Sequence, residues 1–201
     1  MGYRVLKRFF DIIVSVVLLA VFLAPLLTFM AVIRLTSEGN AIFKQKRIGR
    51  GGKAFACLKL RTMYIDAPKN IATAKFLNAE SYITPVGRFL RRTSLDELPQ
   101  LINVLMGDMS LVGPRPLIPE ETEMHDKRRE KGVYSIRPGM TGLAQVRGRD
   151  ALSDREKLAL DVEYLNNMGV FLDIKILFST LVGVATGKGV EDGEKEKRLK
   201  G

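Results

Sequence analysis

The chain has 201 residues, with 32 Lys and Arg against 22 Asp and Glu, a formal charge of +10, one His and one Cys. Such a length holds one modest soluble core, or a smaller core beside a membrane element. A single His and a single Cys exclude His-based triads, CxxC redox pairs and Cys/His zinc clusters, and the lone Cys57 reads as a packing residue in a reducing compartment.

The positive balance asks for an anionic partner. Nucleic acid is one, but Trp is absent and no zinc-finger or RNA-binding aromatic signature appears. An anionic bilayer attracts each nearby basic residue by about 1 kcal/mol and suits the charge equally well.

The first element is apolar. Ile12–Ile33 carries no charge over 22 residues, enough to span about 30 Å of hydrocarbon. The run is too long for a signal peptide and lacks a clear small-residue cleavage site. Length alone fits a spanning helix. Pro25 removes a donor to Val21 and pushes Ala24 away from α geometry, which predicts a kink or break, with Thr28 available to the freed carbonyls. Arg4, Lys7 and Arg8 precede the run, and Arg34, Lys44, Lys46, Arg47 and Arg50 follow it. A spanning helix places one basic cluster on the wrong side, whereas a hairpin entering one leaflet keeps both on the same side.

Ala41–Ile48 and Ala54–Met63 read as a β-hairpin around Gly49-Arg50-Gly51-Gly52, which lacks P-loop spacing. Period two puts Cys57, Lys59 and Arg61 on one strand face, ordinarily a solvated one. Asp66–Tyr82 reads as a loop with a helical turn. Thr84 and Pro85 then mark a helix start, and Ser94 with Glu97 fits a capping box. Pro99 also belongs near a helix start, so Asp96 and Glu97 are expected at the positive end of a helix over Pro99–Met106, closed by Gly107. Prolines 114 and 116 enclose Arg115 and present its guanidinium rigidly, which suits bidentate phosphate binding.

Pro119-Glu-Glu opens another helix, acids first and Lys127, Arg128, Arg129 and Lys131 last, with His125 expected at its surface. Arg137–Arg149, with glycines at 139, 142 and 148, reads as a backbone-close cationic loop suited to pyrophosphate, or as a turn-rich connection. Ser153 and Glu156 form a second capping box opening Asp154–Asn166, which carries Asp161 and Tyr164. Val170–Ala185 is almost wholly apolar yet too short to span, predicting a buried or interfacial helix. Lys188–Gly201 is a mixed-charge tail expected to be disordered.

Chemistry by elimination leads to the acidic pair. An Asp carboxylate is ionised at pH 7 and needs no base to act as a nucleophile. A helix terminus adds about 0.3–1 kcal/mol, so a metal ion and Arg115 would carry most of the charge stabilisation. Ser-Leu-Asp-Glu-Leu equally starts many ordinary helices, and on local pattern the cap alone accounts for it.

Leu90-Arg91, Ser94-Leu-Asp-Glu-Leu-Pro-Gln100, Gly107-Asp-Met-Ser-Leu-Val-Gly-Pro-Arg-Pro116 and Arg137-Pro-Gly-Met-Thr-Gly-Leu-Ala-Gln-Val146 together resemble the bacterial sugar transferase family. These are small monotopic phosphoglycosyl transferases, and the chain looks like a minimal member of the kind that primes protein N-glycosylation. The resemblance runs from about Tyr3 to about Ala185. It implies a mainly helical α+β fold: residues 1–38 a re-entrant membrane helix broken at Pro25, 39–187 a catalytic domain with a small β-hairpin and interfacial amphipathic helices, and 188–201 the tail. The family's usual break is Ser-Pro, where this chain has Ala24-Pro25.

The implied reaction moves a sugar-1-phosphate from a UDP-sugar to undecaprenyl phosphate, releasing UMP, in two displacements through Asp96. Mg2+ would be held by Asp96 and Glu97. Lys59, Arg91, Arg115, Arg137, Arg149 and Asp161 would bind substrate and its phosphates. The expected setting is the cytoplasmic face of a bacterial inner membrane, with downstream glycosyltransferases as partners and no nucleic acid. A basic membrane-surface adaptor without catalysis is the alternative.

Overall fold

The computed structural model describes residues 2–67, 79–148 and 151–186. Arg149, the 188–201 tail and most of the Asp66–Tyr82 loop lie outside the described residues, that loop's last part being a 3-10 turn over Ala79–Tyr82.

The uncharged N-terminal run folds within one 35-residue helix, α1 (Gly2–Thr36), with Pro25 inside it. The expected break at Pro25 is therefore not seen as an end to the helix. A proline removes one i→i−4 bond and crowds one carbonyl, and helical geometry resumes on both sides. Thr28 Oγ1 donates to Ala24 O at 3.0 Å, so its hydroxyl is not spent on the Val21 carbonyl. Packing holds both halves: Val14, Leu18 and Leu19 join one buried cluster, and Leu26, Phe29, Met30 and Ile33 another.

Strands β1 (Ile42–Ile48) and β2 (Ala54–Leu60) form the expected antiparallel hairpin, in register from Ile42 opposite Leu60 to Ile48 opposite Ala54. Gly51 and Gly52, both at positive φ, turn the chain between them. β2 stops at Leu60, short of Met63, which makes an isolated bridge to Ile83. A second, parallel pair joins β3 (Ser110–Val112) and β4 (Gly139–Thr141), Ser110 opposite Gly139 and Val112 opposite Thr141. At three residues each, these strands are too short to show a period in sequence.

Helices α2 (Pro85–Thr93), α3 (Gln100–Met106), α4 (Thr122–Glu130), α5 (Leu143–Val146), α6 (Asp154–Asn167) and α7 (Val170–Thr186) complete a mainly helical domain with two small sheets. The main core gathers Leu101 and Val104 from α3, Leu111 and Val112 from β3, Tyr164 from α6 and Ile176 from α7. α7 buries Asp173 beside Ile176 and leaves Phe171 90% and Phe178 68% exposed. α1 likewise leaves Val5, Phe9, Val17, Val21 and Leu27 open, and it is long and apolar enough to cross a membrane.

Candidate active site

Asp96 and Glu97 sit in a 3-10 turn, Leu95–Glu97, between α2 and α3. Thr84 caps α2 as expected, its hydroxyl accepting from Gly87 N at 2.9 Å. Gly107, at φ 93°, ends α3. The expected capping box at Ser94 is not formed: Ser94 adopts the left-handed conformation that ends α2, and its side chain caps nothing. The acidic pair thus precedes α3 by a tight turn instead of occupying its first helical positions. Reversing the chain between two short helices needs a left-handed residue there, and that requirement overrides the cap.

Close backbone packing places the cations. A Cβ on Gly87 would lie 2.0 Å from Thr62 O, so only glycine lets α2 approach the end of β2. One turn further on, Arg91 Nε donates to Thr62 Oγ1 at 2.8 Å, and the guanidinium is near enough to Asp96 to stabilise its charge. Asn103, fully buried on α3, acts as a partner strand for β2: its Oδ1 accepts from Leu58 N at 2.9 Å and its Nδ2 donates to Ala56 O at 2.8 Å. The next residue, Lys59, donates from Nζ to Glu97 Oε1 at 2.7 Å.

The Gly113–Pro116 loop is clamped against β4. Gly139 N donates to Pro114 O and Gly113 N to Thr141 O, each at 2.9 Å. Cβ atoms at Gly139 or Gly142 would come within 2.1 Å of Gly113's backbone. Arg115 is exposed, with its carbonyl accepting from buried Arg128 Nη1 at 2.8 Å. The other arm of Arg128 meets Asp161 Oδ2 at 2.5 Å. Asp161, which the resemblance implies as a substrate-binding residue, thus lies in a buried ion pair that fixes the backbone under Arg115. Breaking such a pair typically costs about 3–5 kcal/mol.

Arg47 of β1 donates to Pro116 O at 3.0 Å and to Gln45 Oε1 at 2.7 Å. Burial, then repulsion from Arg115, lowers its pKa, so the two guanidinium groups stand close together. From sequence Arg47 reads only as a flanking charge and Arg128 only as a helix-end cation, and Asn103 carries no signal. The Gln45–Arg47 spacing was the available signal for one strand face.

The structure therefore gathers Asp96, Glu97, Lys59 and Arg91, with Arg115 and Arg47 alongside. Arg137 goes elsewhere: its Nε donates to Gly107 O at 2.7 Å, and it lines a separate cleft. His125, expected at the surface, is buried between Tyr134 Oη and Ile118 O. Because a carbonyl only accepts, Nε2 carries the proton at 2.8 Å from Ile118, and the imidazole is a structural bolt.

Burial is the largest influence on Asp96, pushing its carboxyl up to about 6, with Glu97 adding to the rise and Lys59 and Arg91 opposing it. A dry carboxylate between cations is held ready to meet incoming positive charge or an electrophilic phosphorus. Among the described residues no three His, Cys, Asp or Glu side chains cluster as a closed metal site. Two adjacent carboxylates nonetheless fit Mg2+, which takes one or two protein oxygens and fills its shell from substrate phosphates and water.

Residues 2–187 match the family described as bacterial sugar transferase, and the chain belongs to that family. It is 43% identical over 190 residues to the UDP-glucose:undecaprenyl-phosphate glucose-1-phosphate transferase of Caulobacter vibrioides, covering 90% of this chain and 70% of that protein. It is 40% identical over 187 residues to the uncharacterized sugar transferase EpsL of Bacillus subtilis, covering 93% and 91%. The undecaprenyl-phosphate galactose phosphotransferase of Salmonella typhimurium is 41% identical over 191 residues, 88% of this chain but 40% of that longer protein. Since the relatives include exopolysaccharide production proteins, membership is defined at the level of the family and not of the N-glycosylation kind.

Proposed function

We propose that this chain transfers a sugar-1-phosphate from a UDP-sugar to undecaprenyl phosphate, releasing UMP. The observation that carries the reading is the buried Asp96 carboxylate, flanked by Glu97, Lys59 and Arg91, in a member of the bacterial sugar transferase family. The named relatives from Caulobacter and Salmonella both act on undecaprenyl phosphate by their descriptions.

In the first displacement an Asp96 carboxylate oxygen attacks the β-phosphorus, and the bond from that phosphorus to the UMP oxygen breaks. Negative charge moves to UMP, and Asp96 carries the phosphosugar as an acyl phosphate. In the second, an oxygen of the lipid phosphate attacks the same phosphorus, and the bond to Asp96 breaks, regenerating the carboxylate. No base is needed in either step, in keeping with a chain whose one His is bolted into α4. Arg91 and Lys59 stabilise phosphoryl charge, Lys59 also orienting Glu97, and Arg115 with Arg47 engages the outer phosphate oxygens. Asp96 and Glu97 would hold Mg2+, which when bound neutralises charge on the diphosphate.

The setting is the cytoplasmic face of a bacterial inner membrane, with α1 entering one leaflet and both its ends cytoplasmic. Support comes from its attachments. At its start Lys7 pairs with Asp173 at 2.5 Å and Arg8 donates to Val104 O at 2.6 Å. At its end Arg61 donates to the carbonyls of Ser37 and Gly39. The lipid-linked product then becomes the substrate of glycosyltransferases that extend the sugar.

The test is to incubate purified protein with a UDP-sugar panel, Mg2+ and undecaprenyl phosphate, following UMP release. Donor alone should leave a phosphosugar adduct on Asp96 by mass spectrometry. Asp96→Asn should lose adduct and at least about 10³-fold in turnover. An Asn variant that retains turnover would leave the non-catalytic adaptor as the better account.

A further inference from the structure

A second basic site lies at the opposite end of the hairpin from Lys59. Arg4, Lys7 and Arg8 of α1, Arg50 of the hairpin turn and Arg137 before β4 converge on a cleft of about 60 Å3, with Asp11 the one acid in its wall among the described residues. Lys59 lies five residues along β2 from Ala54, the partner of Ile48 at the turn, so roughly 17 Å separates the two sites along the strand.

The carboxylates here are already engaged. Asp11 accepts from Ser110 Oγ at 2.7 Å and from Leu111 N at 3.2 Å, and Lys7 is drawn to Asp173. Among the described residues, Arg8 and Arg137 donate to neutral carbonyls only, those of Val104, Leu105 and Gly107. Arg4 and Arg50 are exposed and enter no hydrogen bond or ion pair among the described residues. These guanidinium groups repel one another: after burial, Arg8 and then Arg50 are what lower the Arg137 pKa, Asp11 giving partial relief. Like charges gathered around one opening are stabilised when an anion enters it.

The flanks indicate what carries that anion. On one side the first turns of α1 expose Val5 at 68% and Phe9 at 63%. On the other, Met168 lines the cleft and leads into α7, whose Phe171 is 90% exposed. Tyr3 Oη and Lys7 Nζ both donate to Asp173, tying the two helix starts together. A phosphate seated here therefore has apolar helix faces on either side, a fit for acyl chains that a free ion would leave unused.

We propose that this cleft binds the headgroup phosphate of one anionic membrane phospholipid, apart from the donor and acceptor handled at Asp96. The site goes beyond the transfer reaction and requires only that the chain meets a bilayer. The test uses the full-length protein in neutral detergent, counting retained lipids by native mass spectrometry during titration with phosphatidylglycerol, phosphatidylcholine or inorganic phosphate.

Wild type should retain one phosphatidylglycerol at concentrations where phosphatidylcholine is lost, and inorganic phosphate at equal concentration should not displace it. The double variant Arg4→Gln, Arg50→Gln should weaken retention at least about tenfold, whereas Lys127→Gln, Arg129→Gln, with the same charge loss on exposed α4, should not. Equal retention of the two lipids, displacement by inorganic phosphate, or equal weakening in both double variants would overturn the proposal. Asp96→Asn should retain the lipid as wild type does, so a failed transferase reading and a failed lipid site give different results.

Discussion

Asp96 and Glu97 are neighbours of the same charge in different surroundings. Glu97 shares its charge with Lys59 at 2.7 Å, while Asp96 is pushed up to about 6, chiefly by burial. An attacking carboxylate must be ionised, so kcat/KM should fall on the acid side with a limb near pH 6. Raising Mg2+ should move that limb to lower pH, because an adjacent cation favours the charged form. A limb that stays near pH 4 at limiting Mg2+ would contradict this.

Stability should respond with the opposite sense. An unfolded Asp titrates near 3.9, and because the folded value is higher, ionisation is disfavoured in the fold. The cost is absent below about pH 4, grows as pH rises to about 6, and is level above that. Asp96→Asn removes it and should stabilise the protein at pH 7 by up to about 3 kcal/mol, with little gain at pH 4. Denaturation in detergent at the two pH values measures the difference.

At the scale of elements, the site depends on where helices are allowed to touch strands. Gly87→Ala forces a Cβ against the Thr62 carbonyl, backbone with no rotamer to yield, and should cost about 1–3 kcal/mol. By withdrawing Arg91 from Thr62 and Asp96 it should lower turnover as well. Gly183→Ala, with open space around it on α7, should do neither. Melting temperature and UMP release measured on both variants check this.

Those same contacts explain what the sequence reveals and what it hides. Helix ends written in single capping residues are legible: Thr84 before α2, Gly107 after α3 and the reciprocal Ser153–Glu156 box of α6 all stand where expected. The Ser94 signal misleads because a cap and a left-handed reversal use the same residue types. The structure brings Asp96, Glu97, Lys59 and Arg91 near one another, two of them adjacent in sequence and two on other elements. Arg47, Asn103 and the Arg128–Asp161 pair stay hidden, since their partners lie 69, 45 and 33 residues away and no local spacing encodes such pairings. Arg137, expected in a cationic loop suited to pyrophosphate, lines the α1 cleft.

Across the whole molecule, α1 is fastened at both ends to one domain. In cells, Gly2→Cys and Glu38→Cys should therefore both react with an impermeant maleimide in inside-out vesicles, and neither in intact spheroplasts. A spanning helix would divide the labels between the two preparations. Cys57 adds no background, being 1% exposed with its thiol pushed up by burial.

The packing of α7, with an acid inside and phenylalanines outside, changes the usual rules of mutational tolerance at those positions. In a water-soluble domain the outward face of a helix drifts freely and the inward face resists change. Here Phe171 and Phe178 face outward and must stay greasy to suit their solvent. The inward Asp173 cannot be traded for an aliphatic residue without removing the acceptor of Tyr3 Oη and one partner each of Lys7 and Tyr164.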